Sequence, residues 1–288
     1  MKKLTIFTPV YNRAEKLKMT YDSLVRQSNK NFIWLIIDDG STDEVYKSVD
    51  EWKKEGKIDI QFYRKENGGK HTAFNYALEV IKTELVFISL DSDDYLEPDA
   101  VEFILNTYND EYKIMATLWN DSKNANVKKF DVKKVKELTL AEAYSRNLVN
   151  AELNYIFRTD YLAQYSYPVF KNENFFTEAY IFYQMDEKVL WTDKVVRRGE
   201  YLSDGLTSNV ISLFYNNPNS WYLYNKIRTK KTRKIMLKIK YTMYEVAFGI
   251  LSNKKKIIKN SCNKLLTVLV YPMGVLGSLY IKKKGKNK

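Results

Sequence analysis

The 288-residue sequence predicts an α/β protein: an open, mostly parallel central sheet covered by helices and followed by a helical, basic C-terminal tail. Two observations predict the sheet and a third predicts the tail. Four short apolar runs rich in β-branched and aromatic residues alternate, within the first ninety residues, with three stretches of helical period. Crossovers of the βαβ kind are right-handed and set neighbouring strands parallel, so such an alternation makes a sheet whose ligands bind beyond the carboxyl ends of its strands. From residue 225 onward, 18 Lys and Arg face one acid, Glu245, whereas the first 224 residues hold 29 bases and 34 acids.

The strands are expected at Leu4–Val10, Phe32–Ile37, Ile58–Tyr63 and Leu85–Leu90. Between them, Ala14–Gln27 places Leu17, Tyr21, Leu24 and Val25 on one helical face, Asp43–Lys53 does the same with Val45, Val49 and Trp52, and Lys70–Ile81 with Ala73, Phe74, Ala77, Leu78 and Ile81. A helix over Pro98–Asn109 and two strands, Lys113–Trp119 and Val127–Val132, follow. Leu140–Arg146, Glu152–Arg158 and Asn174–Met185 alternate helix and strand character, and Trp191–Leu202 reads as extended. The polar turn Asn216–Ser220 closes the body, and the composition then shifts to lysine and aliphatics. The expected domains are therefore residues 1–224, in halves of 1–110 and 111–224, and a tail over 225–288.

Composition narrows the chemistry. A chain that is 45% hydrophobic with 10 Gly and 5 Pro is built to fold, and one cysteine, Cys262, with one histidine, His71, leaves no disulfide framework and no zinc finger. Carboxylates, lysines, hydroxyls or a hard cation must do the work. The net charge of +12 belongs to the tail, which argues against a globular nucleic-acid reader carrying its positive patch on the body. Lys2 and Lys3 lead into an apolar run too short for a secretory leader, so the body is expected in the cytoplasm.

The unusual residues cluster after the strands. The first strand runs into Thr8-Pro9-Val10-Tyr11-Asn12-Arg13 rather than a glycine-rich dinucleotide turn; Pro9 fixes the bend, Tyr11 offers a flat ring to a base, and Asn12 is placed to cap the next helix. The second ends in Asp38-Asp39-Gly40-Ser41-Thr42-Asp43, where Asp39 suits a ribose hydroxyl or a base N–H and Ser41 or Thr42 a helix cap. After the third, Asn67-Gly68-Gly69-Lys70-His71 lets backbone approach a phosphate at a helix start. The fourth ends in Asp91-Ser92-Asp93-Asp94, three carboxylates that repel one another unless a cation or solvent compensates; oxygen ligands alone select Mg²⁺ or Mn²⁺.

As a set, "TPVYNR", "DDGSTD", "NGGKHTAFN" and "LDSDDYLEPD" make the stretch from Thr8 to about Asp99 resemble glycosyltransferase family 2, the GT-A nucleotide-sugar transferases. The resemblance implies a GT-A-type nucleotide-sugar-binding domain. Its crevice would hold a nucleotide-diphosphate sugar, with Pro9, Tyr11 and Asp39 at base and ribose and Asp91 and Asp93 as the D-x-D element that takes the metal. Asn12, Asn67, Gly69, Lys70 and Ser92 would line the same crevice. "YPVFKNENFFTEAYIF" and "GEYLSDGLTSN" are similar to bacterial members that build capsular or exopolysaccharide repeats. Asp204 there either closes over the nucleotide or turns the chain. In family members an acidic residue of the acceptor half is commonly the base that takes the acceptor proton in an inverting transfer. Glu178 and Glu173 are the candidates here, set among Tyr167, Phe170, Phe175, Phe176 and Tyr180, where partial burial raises a carboxylate toward useful basicity.

The sequence thus reads as a metal-dependent inverting glycosyltransferase with a saccharide or lipid-linked acceptor. Its rivals are a nucleotidyltransferase on a similar sheet and a non-enzymatic membrane-surface or polyanion-binding protein. In the tail, Ile235, Ile239, Met243, Val246 and Ile250 make one apolar stripe beside Lys230, Lys234 and Lys238, the pattern of a helix lying on an anionic membrane. Leu265–Ile281 is an uncharged run broken by Pro272, Gly274 and Gly277 and flanked by lysines, expected as an interfacial or re-entrant segment, a helix packed on the body or a partner subunit, or a true span. The expected place is the inner face of the cell membrane, with homo-oligomers possible.

Overall fold

The structure is a computed structural model that describes residues 2–121, 130–149, 151–200 and 210–286. Two compact units divide the chain: one holds Met1–Thr139, Val149–Ser166 and Glu187–Tyr201, the other Leu140–Leu148, Tyr167–Asp186 and Leu202–Lys288.

In the first unit the chain runs β1 (Leu4–Val10), α1 (Ala14–Val25), β2 (Phe32–Asp38), α2 (Val45–Glu55), β3 (Asp59–Arg64), α3 (Lys70–Val80), β4 (Leu85–Ile88), β5 (Tyr95–Leu96), α4 (Ala100–Thr107), β6 (Ile114–Asp121) and α5 (Val132–Val135). After α6 (Leu140–Ser145), which belongs to the second unit, come β7 (Leu153–Arg158), α7 (Thr159–Leu162) and, beyond α8 (Ala179–Phe182) of the second unit, β8 (Val189–Gly199). The strands form one sheet in the order β3-β2-β1-β4-β7-β6-β8-β5. Strands β1 to β4 are parallel to one another, β7 is antiparallel to both its neighbours, β6 and β8 are parallel, and β5 is antiparallel to β8.

Register fixes where ligands can meet the sheet. Val10 pairs with Asp38 and Asp38 with Arg64, so the loops after β1, β2 and β3 leave one edge at one level. Chain order reverses at β1, which lies between β2 and β4, and that reversal opens a crevice at the carboxyl ends. Behind it, Tyr21 of α1, Trp34 of β2 and Trp52 of α2 stack, with Tyr21 and Trp52 4.4 Å apart at 7°. Burial of three large aromatics locks both helices onto the sheet, and Trp34 donates its indole N–H to Thr8 at 2.9 Å.

Several expectations shift. Strand β4 ends at Ile88 rather than Leu90; the Ser89 carbonyl accepts from the Arg197 side chain, and the Leu90 N–H still donates to the Phe7 carbonyl at 2.9 Å. The first half of the strand expected at Val127–Val132 lies outside the described residues, and its last residue opens α5. Only four residues of Asn174–Met185 are helical.

The second unit is a helical bundle of α6, α8, α9 (Val210–Asn216), α10 (Pro218–Lys231), α11 (Ile235–Leu251), α12 (Ile257–Asn260) and α13 (Lys264–Gly285). The boundary expected at Asn225 lies inside α10, where Asn225 is buried. Nor does the apolar stripe of α11 face outward as expected, apart from its first residue, Ile235, which is exposed. Val246 is buried against Ile257, Leu266 and Val270, with Ile239, Met243 and Ile250 packed alongside. Pro272, Gly274 and Gly277 do not break α13, which is continuous over 22 residues. Gly274 instead permits close packing: a Cβ there would sit 2.5 Å from the Val246 side chain.

Candidate active site

Four loops converge at the carboxyl ends of β1 to β4, and hydrogen bonds tie them together. The Asn12 N–H donates to Ser41 Oγ at 2.9 Å, while Asn12 Oδ1 accepts the Thr42 N–H at 2.7 Å. Asn12, at φ +50°, therefore couples two loops instead of capping α1; that helix receives Asp43, whose Oδ2 accepts the Ala14 N–H at 2.9 Å. Ser41 and Thr42 do not cap α2 for the same reason. Tyr11 stands 48% exposed beside this tie, and Pro9 is half-buried in β1.

Asp39 is buried, and its carboxylate is engaged by the loop after β3. Lys65 Nζ lies 2.6 Å from Oδ1, and the Gly68 and Gly69 amides donate at 3.0 and 2.7 Å. Asn67 Nδ2 donates to the Asp39 carbonyl at 2.9 Å. Gly69 adopts φ +91° immediately before α3, a conformation open to glycine, and this aims its amide at Asp39 rather than at open crevice. His71, given no role by its sequence context, is buried in the first turn of α3.

Along the acidic run, burial alternates: Asp91 and Asp93 are partly exposed, Ser92 and Asp94 buried. Ser92, expected at the nucleotide, thus lies within the fold. The three carboxylates are compensated by protein cations, which the sequence reading did not foresee. Lys70 Nζ reaches Asp91 at 2.6 Å, Arg13 reaches Asp93 at 2.6 Å, and the buried Arg197 guanidinium lies 3.3 Å from Asp94 and 3.8 Å from Asp91. Loss of water raises Asp91, but Lys70 and Arg197 outweigh it and hold that carboxyl below the usual range. Burial pushes Asp94 up to about 7 against the pull of Arg197, with Asp91 and Asp93 adding to the rise. Gly199 lets β8 approach this cluster, since a Cβ there would overlap the Asp94 carboxylate.

Arg13, Lys65 and Arg197 are the residues that reading the sequence alone missed. Arg197 lies in β8 beside the fully buried Val196, a burial that only the structure shows. Among the described residues no three His, Cys, Asp or Glu side chains form a cage for an ion. A hard cation held by one or two carboxylates, with phosphate oxygens completing its shell, fits the partly exposed Asp91 and Asp93.

Glu173 and Glu178 belong to the second unit. The buried Glu173 carboxylate accepts four hydrogen bonds at the start of α10, from the N–H groups and side chains of Asn219 and Ser220, at 2.7 to 2.9 Å. An anion there satisfies orphan amides and complements the helix dipole. Glu178 heads the single turn α8 and is exposed, not half-buried as expected, because the rings of Tyr167, Phe176 and Tyr180 pack on one another. Asp204 lies outside the described residues.

A parallel half-sheet with an acidic turn at its switch point has the architecture of the GT-A fold expected from the sequence. The model of glycosyl transferase family 2 matches residues 5–172, more than half of the sequence, and the chain belongs to that family. A teichoic acid poly(glycerol phosphate) polymerase of Staphylococcus epidermidis is 36% identical over 119 residues, 41% of this chain but only 16% of the relative's length. S. aureus TarS 1-349 in complex with UDP-GlcNAc superposes with a TM-score of 0.59 at 17% identity, covering 99% of this chain and 92% of that one. The mannosyltransferase PcManGT of Pyrobaculum calidifontis, in complex with GDP-Man and Mn²⁺, gives 0.56 at 15% identity over 96% of this chain and 74% of its own.

Proposed function

We propose that the chain is a metal-dependent, inverting glycosyltransferase that moves a sugar from a nucleotide-diphosphate sugar, a UDP-sugar in the first instance, to a saccharide or lipid-linked saccharide in surface polysaccharide synthesis. The observation that carries this reading is the pair of partly exposed carboxylates, Asp91 and Asp93, held by Lys70 and Arg13 at the sheet's switch point. The UDP-GlcNAc and Mn²⁺ complexes of the two structural neighbours support it.

In this reading Tyr11 stacks on the base, and Asp39 reaches base or ribose by exchanging its Lys65 contact. Asp93, with Asp91 beside it, would hold Mn²⁺ or Mg²⁺, which when bound supplies positive charge to the pyrophosphate. Lys70 and Arg13, released from their carboxylates, add charge for the departing nucleotide. The acceptor hydroxyl attacks the anomeric carbon, the bond to the diphosphate breaks, and the hydroxyl proton passes to Glu178. Glu178 takes this role over Glu173 because the Glu173 carboxylate is saturated as a helix cap. The enzyme works on the cytoplasmic face of the cell membrane, held there by its basic tail, without nucleic-acid partners.

A screen of nucleotide sugars tests the reading. Release of nucleoside diphosphate from at least one of them, with Mn²⁺ or Mg²⁺ and not with chelator, is expected; no turnover and no binding of any would overturn it.

A further inference from the structure

The helix α13 has two unlike faces. One is built into the bundle: Leu266, Thr267, Val270, Gly274, Ser278, Ile281 and Gly285 are buried, and Gly274 and Gly285 sit against Val246 and Tyr215 so closely that a Cβ at either would overlap them. The other is apolar and uncovered. Leu265, Val268, Leu269, Met273, Leu276 and Leu279 fall within a third or so of the helix circumference and are each more than half exposed, from 52% to 74%. Apolar area of this extent in one contiguous stripe is a standing cost in water that a covering surface relieves.

Charge identifies what covers it. Glu245, the single acid after residue 224, is fully buried, so the described surface of this segment presents lysines and arginines with no acid among them. Lys264 stands at one end of the stripe and Lys282, Lys283 and Lys284 at the other. A second copy docked on the stripe sets like charges together in either direction, the Lys282–Lys284 ends on each other when parallel and on Lys264 when antiparallel. An anionic bilayer accepts both the apolar stripe and its flanking lysines. Length alone would let the 22-residue helix cross a membrane, but with one face fixed to α11 and α9 it presents only its other face to lipid.

We propose that α13 lies in the plane of an anionic phospholipid surface, its Leu265–Leu279 stripe in the acyl boundary and its terminal lysines at the headgroups. This deepens the peripheral-membrane part of the proposed function and rests on it.

The test is flotation of the full chain with vesicles of phosphatidylglycerol and phosphatidylcholine, or of phosphatidylcholine alone, with UDP-sugar hydrolysis and light scattering measured on the same samples. Leu269→Asp/Leu276→Asp is expected to lose at least about tenfold in binding to the anionic vesicles while hydrolysis is unchanged. In Leu276→Trp, which keeps the stripe apolar, the added emission is expected to be quenched by brominated lipid tails. Binding unaffected by the double substitution, or an unquenched tryptophan, overturns the proposal, as does a dimer that the substitution splits into monomers while vesicle binding stays the same. Absence of hydrolysis from every protein would instead count against the enzymatic reading and leave the lipid result to stand alone.

Discussion

Arg197 shows what a single side chain does beneath this site. Its guanidinium donates to the Ser89 carbonyl and faces two carboxylates, Asp94 at 3.3 Å and Asp91 at 3.8 Å, from a buried position. Removing one partner of such a cluster leaves buried charge uncompensated, at a cost of about 3–5 kcal/mol. Arg197→Met is therefore expected to lower the thermal midpoint by many degrees, and Arg197→Lys to restore little of it, because one ammonium cannot span the fork. An unchanged midpoint in Arg197→Met would show the cluster to be held otherwise. Residue by residue, the sequence exposed the acids better than their partners. Asp91 and Asp93 stand out because like charges crowd in four positions, whereas Arg13, Lys65 and Arg197 come from distant strands and loops and announce no spacing of their own. Asn12 misled for a related reason: its side chain can cap locally, but Thr42, brought near by β-sheet register, supplies the better donor.

Elements were legible where local pattern and packing agree. β1 falls at Leu4–Val10 as expected, and β2, β3 and α1 to α3 within two residues of their expected limits, since each carries a clean period and a bounded loop. Beyond Asp99 the helices α5 to α8 span only four to six residues each, and β7, β6 and β8 owe their places to partners far along the chain. The amino end of α10 is such a case, because its capping anion, Glu173, lies 46 and 47 residues from the amides it meets. Glu173→Ala is expected to cost about 2 kcal/mol of stability while turnover per folded molecule changes little. Glu178→Gln is expected to do the reverse, leaving donor affinity intact and lowering turnover by about 10²–10⁴. Melting curves and steady-state kinetics on both variants separate the roles; a large kinetic loss in the Glu173 variant with none in the Glu178 variant would exchange them.

At the scale of the whole molecule, a mildly acidic body and a strongly basic tail share one chain, and the two compact units do not follow that division. Composition marks residue 225, yet α10 runs through it, and Leu140–Leu148 and Tyr167–Asp186 join the helical unit although their composition resembles the body's. A cut by charge finds surface chemistry, while a cut by contacts finds cores, and here they differ. In the proposed function the crevice of the first unit holds a nucleotide diphosphate through a divalent cation on Asp93. Asp93 is partly exposed and its pair with Arg13 contributes about 0–1 kcal/mol to folding, so Asp93→Ala should fold as the parent does. The direct measurement is the affinity of that variant and of the parent for uridine diphosphate, with and without Mn²⁺. The parent is expected to bind much more tightly with Mn²⁺ and the variant to show no such gain; an equal Mn²⁺-dependent gain in both would contradict the assignment.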